Sequence, residues 1–132
     1  MVLLGAGLDL MFYENGFDAA PLFEMDCMPT QSWKRTRLDQ LKVSTSHVTF
    51  VECDLEVDDL ASCLERKGFD PARKTIYVWL GVVSYLKRET VEKVLAQMQN
   101  AVVIFDYSEP PSRDKQFEKR AKHVAELGEV GF

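Results

Sequence analysis

The chain has little of what marks a disulfide-bonded, metal-clustered or membrane-spanning protein. Its three cysteines, Cys27, Cys53 and Cys63, form no CxxC pair and cannot all pair with one another. A disulfide framework or a four-ligand zinc site therefore has little support, and a reducing, cytoplasmic setting fits best. The two histidines, His47 and His123, stand apart with no partner at metal-ligand spacing, so no metal is expected. The longest apolar run, residues 76–83, falls far short of the ~20 residues a membrane-spanning helix needs. No basic region precedes an apolar one at the N-terminus, as a targeting segment would require. Internal repeats and low-complexity segments are missing, and the one proline-rich spot is Pro110-Pro111. Basic residues are in the minority: 16 Lys and Arg against 21 Asp and Glu leave a net charge of -5, which repels phosphate backbones. Neither nucleic acid nor a membrane is an expected partner.

What is present suits one compact domain over residues 1–132. Apolar residues make up 46% of the chain, with eight Phe, four Tyr and two Trp, enough to build a core at this length. Short apolar runs alternate with longer helical patterns. Met1-Val2-Leu3-Leu4 reads as a buried strand entering a glycine turn, with helical character from Asp9. Pro21-Leu22-Phe23 runs into Glu24-Met25-Asp26, and residues 31–42 read as a charged helix with Trp33 and Leu41 as inward anchors. His47-Val48-Thr49-Phe50-Val51 is β-branched and leads to Cys53-Asp54, after which Leu60 and Leu64 predict a helix stopped by Gly68. Residues 75–80 are continuously apolar, as a strand covered on both faces should be. Val91, Val94, Leu95 and Met98 recur as one helical stripe, and residues 101–105 form a fifth strand signal. A last helix is expected over 112–127, with Phe117, Ala121 and Val124 on one side and Gly128 as its stop.

This alternation predicts an α/β fold, a mostly parallel five-stranded sheet with helices on both faces, whose ligands sit outside the carboxyl ends of the strands. The polar and glycine groups cluster there: Gly5-Ala6-Gly7-Leu8-Asp9, Glu24-Met25-Asp26, Cys53-Asp54-Leu55, Leu80-Gly81 and Asp106-Tyr107 each follow a predicted strand. Glycines at 5 and 7 let a ligand approach the backbone. Leu10 stands where the third glycine of a dinucleotide fingerprint belongs, which demotes a nicotinamide cofactor. Asp26, 19 residues after Gly7, is placed to accept the hydroxyls of a ribose. Taken singly, Glu24 and Asp26 also read as solvated loop acids and Asp54 as a helix cap. Lys34, Arg35 and Arg37, like Lys115, Lys119 and Lys122, read as solvated helix faces. Cys53 reads as a packed core thiol, and Tyr85 and Tyr107 either line the substrate side or pack as buried aromatics.

In order and spacing, Leu4-Gly5-Ala6-Gly7-Leu8-Asp9, Phe23-Glu24-Met25-Asp26 with Pro29 and Lys34, Val51-Glu52-Cys53-Asp54-Leu55, Gly68-Phe69-Asp70-Pro71, Trp79-Leu80-Gly81-Val82-Val83-Ser84-Tyr85-Leu86 and Phe105-Asp106-Tyr107 resemble the leucine carboxyl methyltransferase family. The resemblance covers nearly the whole chain. It implies a Rossmann-like class I methyltransferase fold and S-adenosylmethionine as cofactor, with S-adenosylhomocysteine as product and O-methyl or carboxyl-methyl transfer to a small-molecule or carboxylate acceptor. By motif, Gly5, Ala6 and Gly7 would lie against the methionyl part, Asp26 would hold the ribose, Asp54 and Leu55 would flank the adenine, and Leu80 would meet the cofactor through its backbone. Such a reaction needs alignment more than acid–base machinery, and no catalytic residue is assigned.

Three positions depart from the family pattern. Leu10-Met11 replaces a usual Thr-Arg, and Leu80 stands where a Glu often occurs. Relatives also carry helices ahead of the first strand and further strands after the fifth, so this chain reads as the middle of a methyltransferase domain, shortened at both ends and lacking the usual last strands. A fifth strand left as an open edge is a surface that pairs with other chains. The alternative function is therefore a non-catalytic remnant of a cofactor fold that homodimerises or binds another protein through that edge.

Overall fold

Strand β1 is Val2–Leu4, three residues buried on both faces. The computed structural model describes residues 1–13 and 20–108. It continues with β2 (Leu22–Asp26), α1 (Met28–Gln40), β3 (Val48–Glu52), α2 (Leu60–Glu65), β4 (Thr75–Trp79), α3 (Arg88–Gln97) and β5 (Ala101–Phe105). Short 3-10 turns occupy Met11–Tyr13 and Val83–Tyr85. Every strand pairing is parallel, and the sheet order is β3-β2-β1-β4-β5. The order reverses between β1 and β4, which is where a doubly wound sheet opens a crevice for a ligand. The expected α/β, Rossmann-like architecture is present.

Period-2 alternation along each strand splits the core in two. Val2, Leu4, Met25, Val51, Tyr77 and Trp79 pack with Leu60, Cys63, Leu64, Val94 and Met98, so α2 and α3 share one face. Leu3, Leu22 and Val78 form the other cluster with Ala6 and Phe12. On that second face α1 reaches β3, where Gln31 Nε2 donates to the Val51 carbonyl at 3.0 Å.

Helix α1 corrects two readings of the sequence. Trp33 and Leu41, the expected inward anchors, are 58% and 56% exposed. The inward residues are Gln31, Lys34 and Leu38, one stripe at i, i+3 and i+7. A search for apolar periodicity passes over Gln31 and Lys34 because both are polar, yet each is buried with a partner. Lys34, read as part of a solvated face, is only 2% exposed, and Glu24, read singly as a solvated loop acid, is 1% exposed. The helix begins at Met28 rather than at 31 because Pro29 fits its first turn. It stops where Lys42 takes φ of 54°.

The remaining elements follow their sequence signals. Asp59 caps α2 by accepting the Ser62 amide at 3.0 Å, and Gly68 beyond it has φ of 83°. Val94 and Met98 carry the buried stripe of α3, and Cys53 is a packed core thiol. His47 is a half-buried loop residue: its Nε2 lies 3.1 Å from the Phe12 carbonyl and its ring stands edge-on to Tyr13. The expected helix over 112–127, with Lys115, Lys119 and Lys122, lies outside the described residues, as does His123. Among the described residues no helix is long and apolar enough to cross a membrane.

Candidate functional site

The ends of β1, β2 and β3 are tied into one ledge by backbone and carboxylate hydrogen bonds. Ala6 N–H donates to the Met25 carbonyl at 3.0 Å, and Cys53 N–H donates to the Asp26 carbonyl at 3.0 Å. Asp26 Oδ2 accepts the Gly7 amide at 2.6 Å, and its Oδ1 accepts the Cys27 amide at 2.7 Å. A carboxylate has about four acceptor positions. Asp26 thus uses one position to hold the glycine loop against β2 and one for the Cys27 amide, and keeps the others for a further donor.

The glycine loop is built for close approach. Gly5 and Gly7 take φ of 60° and 48°, a region an L-residue enters at a cost of about 1–2 kcal/mol. A Cβ on Gly5 would run into Cγ2 of Val82, so the turn after β1 and the turn after β4 touch where the strand order reverses. The loop then closes on itself, Asp9 N–H donating to the Ala6 carbonyl at 3.0 Å and Met11 N–H to Asp9 Oδ1 at 2.8 Å.

Beneath this loop lies a buried ionic cluster. Lys34 Nζ is 2.8 Å from Glu24 Oε1 and donates to the Asp9 carbonyl at 2.6 Å. Tyr13 donates its hydroxyl to Glu24 Oε2 at 2.7 Å, and Lys34 Nζ lies 5.1 Å from the centre of the Tyr13 ring. Burial, reinforced by the bond to Glu24, pushes the Tyr13 hydroxyl well above the ordinary phenol range. The cluster joins β2, α1, the 3-10 turn and the end of the glycine loop.

Asp54 lies at the same end of the sheet, exposed, its Oδ1 accepting the Glu56 amide at 3.0 Å. Leu55 is 8% exposed and belongs to the core. The turn is stitched to α3 by Glu56, which accepts from Lys87 N–H at 3.0 Å and Thr90 Oγ1 at 2.8 Å. These two bonds hold the Glu56 carboxyl below its usual range. Leu80 is exposed after β4. Gly81 N–H next to it donates to both oxygens of Asp106, at 2.9 and 3.1 Å, linking the ends of β4 and β5. Tyr85 and Tyr107 are 68% and 67% exposed, which corrects their reading as buried aromatics. A cleft of about 280 Å³ lined by Leu60, Leu64, Phe69, Tyr77 and Gln97 shares no residue with this ledge.

The structure therefore brings Gly5, Ala6, Gly7, Asp26, Asp54, Leu55 and Leu80 to one end of the sheet. The profile of the leucine carboxyl methyltransferase family matches residues 1–99. The chain belongs to that family. Similar proteins include one from Mycolicibacterium smegmatis named "Putative S-adenosyl-L-methionine-dependent methyltransferase", 34% identical over 96 residues, which are 71% of this chain and 31% of that protein. Another of that name, from Mycolicibacterium paratuberculosis, is 34% identical over 97 residues, 72% of this chain and 31% of its own length. One from Mycobacteroides abscessus is 27% identical over 137 residues, covering 99% of this chain and 45% of itself. The chain thus spans about a third to under a half of the curated relatives it matches.

Family motifs and buried chemistry coincide at Glu24, which taken singly also read as a solvated loop acid, and at Lys34, which read as a solvated helix face. Glu24 and Lys34 were both present in the matched motif, and the spacing of Gln31, Lys34 and Leu38 carries the signal that Lys34 faces inward. The Gly5–Val82 contact had no such signal, because it depends on the spatial neighbourhood of β1 and β4, whose partners lie far apart in the chain.

Proposed function

We propose that this chain is the cofactor-binding part of an S-adenosylmethionine-dependent methyltransferase of the leucine carboxyl methyltransferase family, acting as one unit in a reducing, cytoplasmic setting. The observation that carries the reading is Asp26, which anchors Gly7 and still has acceptor positions left. Two hydroxyls of a ribose suit those positions. The positive φ of Gly5 and Gly7 supports a backbone that a methionyl group can approach. Asp54 and Leu55 would flank the adenine. Because Leu55 is buried and the Asp54 carboxylate takes the Glu56 amide, their loop would offer the base backbone groups and one carboxylate edge. Leu80 would contribute its backbone. When bound, the cofactor supplies a methyl group already activated by its sulfonium, so O-methyl or carboxyl-methyl transfer needs chiefly orientation of an acceptor oxygen.

Calorimetric titration with S-adenosylhomocysteine tests this reading. Saturable binding by the full chain, weakened at least tenfold by Asp26→Ala, is expected. Absence of heat and of any thermal shift with excess ligand would remove it. Turnover on small carboxylates is a second, separate readout.

One observation favours a second reading. The β5 edge exposes Val102, Ile104 and Phe105 by 59%, 50% and 39%, a surface suited to a second copy of the chain. A homodimer formed there would appear in size-exclusion chromatography with light scattering and would be lost in Ile104→Lys. A monomer at every concentration would exclude it.

A further inference from the structure

Three metal-ligating groups converge on the side of the sheet away from α1. Cys53 follows β3, Asp58 sits in the turn after it and Cys63 lies on α2, a C-x4-D-x4-C spacing. The two sulfurs and a carboxylate oxygen all lie within 4.8 Å of one another. Both thiols are free and 2% exposed. With zinc–sulfur bonds of about 2.3 Å, tetrahedral coordination sets sulfurs about 3.8 Å apart, so closing the group requires side chains to move by at most about an ångström.

We propose that Cys53, Asp58 and Cys63 bind one zinc-class divalent cation, with the fourth position taken by water. The donor set selects the metal: two sulfurs exclude magnesium and calcium, which take oxygen ligands, and suit zinc. The surroundings supply an outer shell of the kind that orients metal ligands. Arg66 Nη2 donates to Cys63 Sγ at 3.1 Å, and the Asp54 amide donates to Asp58 Oδ2 at 2.8 Å. The charges balance as well. Two thiolates, one carboxylate and a divalent cation leave a single negative charge beside the Arg66 guanidinium.

Binding is a proton exchange. The two S–H bonds lose their protons to solvent and two S–metal bonds form, with no change of oxidation state. Because protons are released on binding, the exchange strengthens as pH rises. A bound cation would pin the 53–58 turn to α2. On the reading of Asp54 and Leu55 proposed above, that turn is the adenine side of the cofactor site, but the metal site stands without it.

The test is cobalt titration of the chain, residues 1–132, kept reduced with a phosphine. The expected result is a thiolate-to-cobalt charge-transfer band that saturates at one equivalent and is abolished by zinc. Cys53→Ser and Cys63→Ser should weaken binding at least about tenfold, the scale set by losing even an outer-shell partner, while Cys27→Ser leaves it unchanged. If either variant fails to fold, the wild-type chain still decides. One equivalent of zinc should slow alkylation of Cys53 and Cys63 by at least tenfold, as read by mass spectrometry, and leave Cys27 reactive. No charge-transfer band with excess cobalt, a band retained by the double serine variant, or zinc that fails to protect the two thiols would each overturn the proposal.

Discussion

Replacing Lys34 by Met should be among the most damaging single changes in this chain. Methionine keeps the length and the apolar stem but removes the charge. Glu24, 1% exposed, then keeps the Tyr13 hydroxyl and loses the ammonium 2.8 Å away. Breaking a buried ion pair from one side costs about 3–5 kcal/mol, because the remaining charge is left uncompensated. The Asp9 carbonyl also loses its 2.6 Å donor. Total stabilities are about 5–15 kcal/mol, so the variant should lose a large share of its folded margin. For 132 residues at about 2.1 cal/mol/K each, the melting temperature should fall by about 10–18 °C. Urea unfolding followed by circular dichroism measures the loss. The companion variant Glu24→Leu/Lys34→Met removes both charges and should recover much of it, since an apolar replacement of a buried pair is often neutral. A loss below about 1 kcal/mol for Lys34→Met, the scale of an exposed pair, would refute the reasoning, as would a double variant no more stable than the single one.

Other outcomes follow from the same geometry. Gly5→Ala should destabilise the fold by at least about 1–2 kcal/mol from its positive φ alone, more from the clash with Val82, and Gly5→Ala/Val82→Ala should recover only the second part in a denaturation series. Asp26→Asn should loosen the turn and weaken S-adenosylhomocysteine binding, because one acceptor oxygen becomes a donor facing the Gly7 or Cys27 amide; unchanged affinity by calorimetry would oppose the ribose role. Glu56, whose carboxyl is held low by Lys87 N–H and Thr90, should stabilise the protein fully above the ordinary carboxylate range and lose that contribution as pH falls through its lowered folded value. Glu56→Gln should flatten the acid limb of the melting-temperature profile, and an unaltered limb would count against the assignment.

Most of the strand framework was legible because parallel strands read as continuous apolar runs, as in Thr75–Trp79 and Ala101–Phe105, even though Ile76, Val102 and Ile104 in those runs are exposed. The strand-end residues were legible for a related reason: glycine and aspartate interrupt those runs where the chain turns. Helix α1 was harder. Its buried stripe is Gln31, Lys34 and Leu38, and hydropathy alone assigns two of these to solvent and Trp33 to the core. Tertiary partners reversed both assignments, Glu24 and the Val51 carbonyl satisfying the polar groups while Trp33 met none of the sheet. Contacts such as Gly5 with Val82, or Cys53 with Cys63, were closed to sequence reading because they depend on strand order and on which face each residue takes.

The position of β1 at the centre of the sheet has a consequence for synthesis. Its partners are β2 on one side and β4 on the other, with Val2 opposite both Phe23 and Tyr77. Strand β1 therefore waits with one flank open, once it has left the ribosome, until β4, which begins at Thr75, has emerged. Pairings so distant along the chain form slowly and leave adhesive surface uncovered meanwhile. A nascent chain arrested before Tyr77 should be a chaperone client, and release from that client state should coincide with emergence of β4.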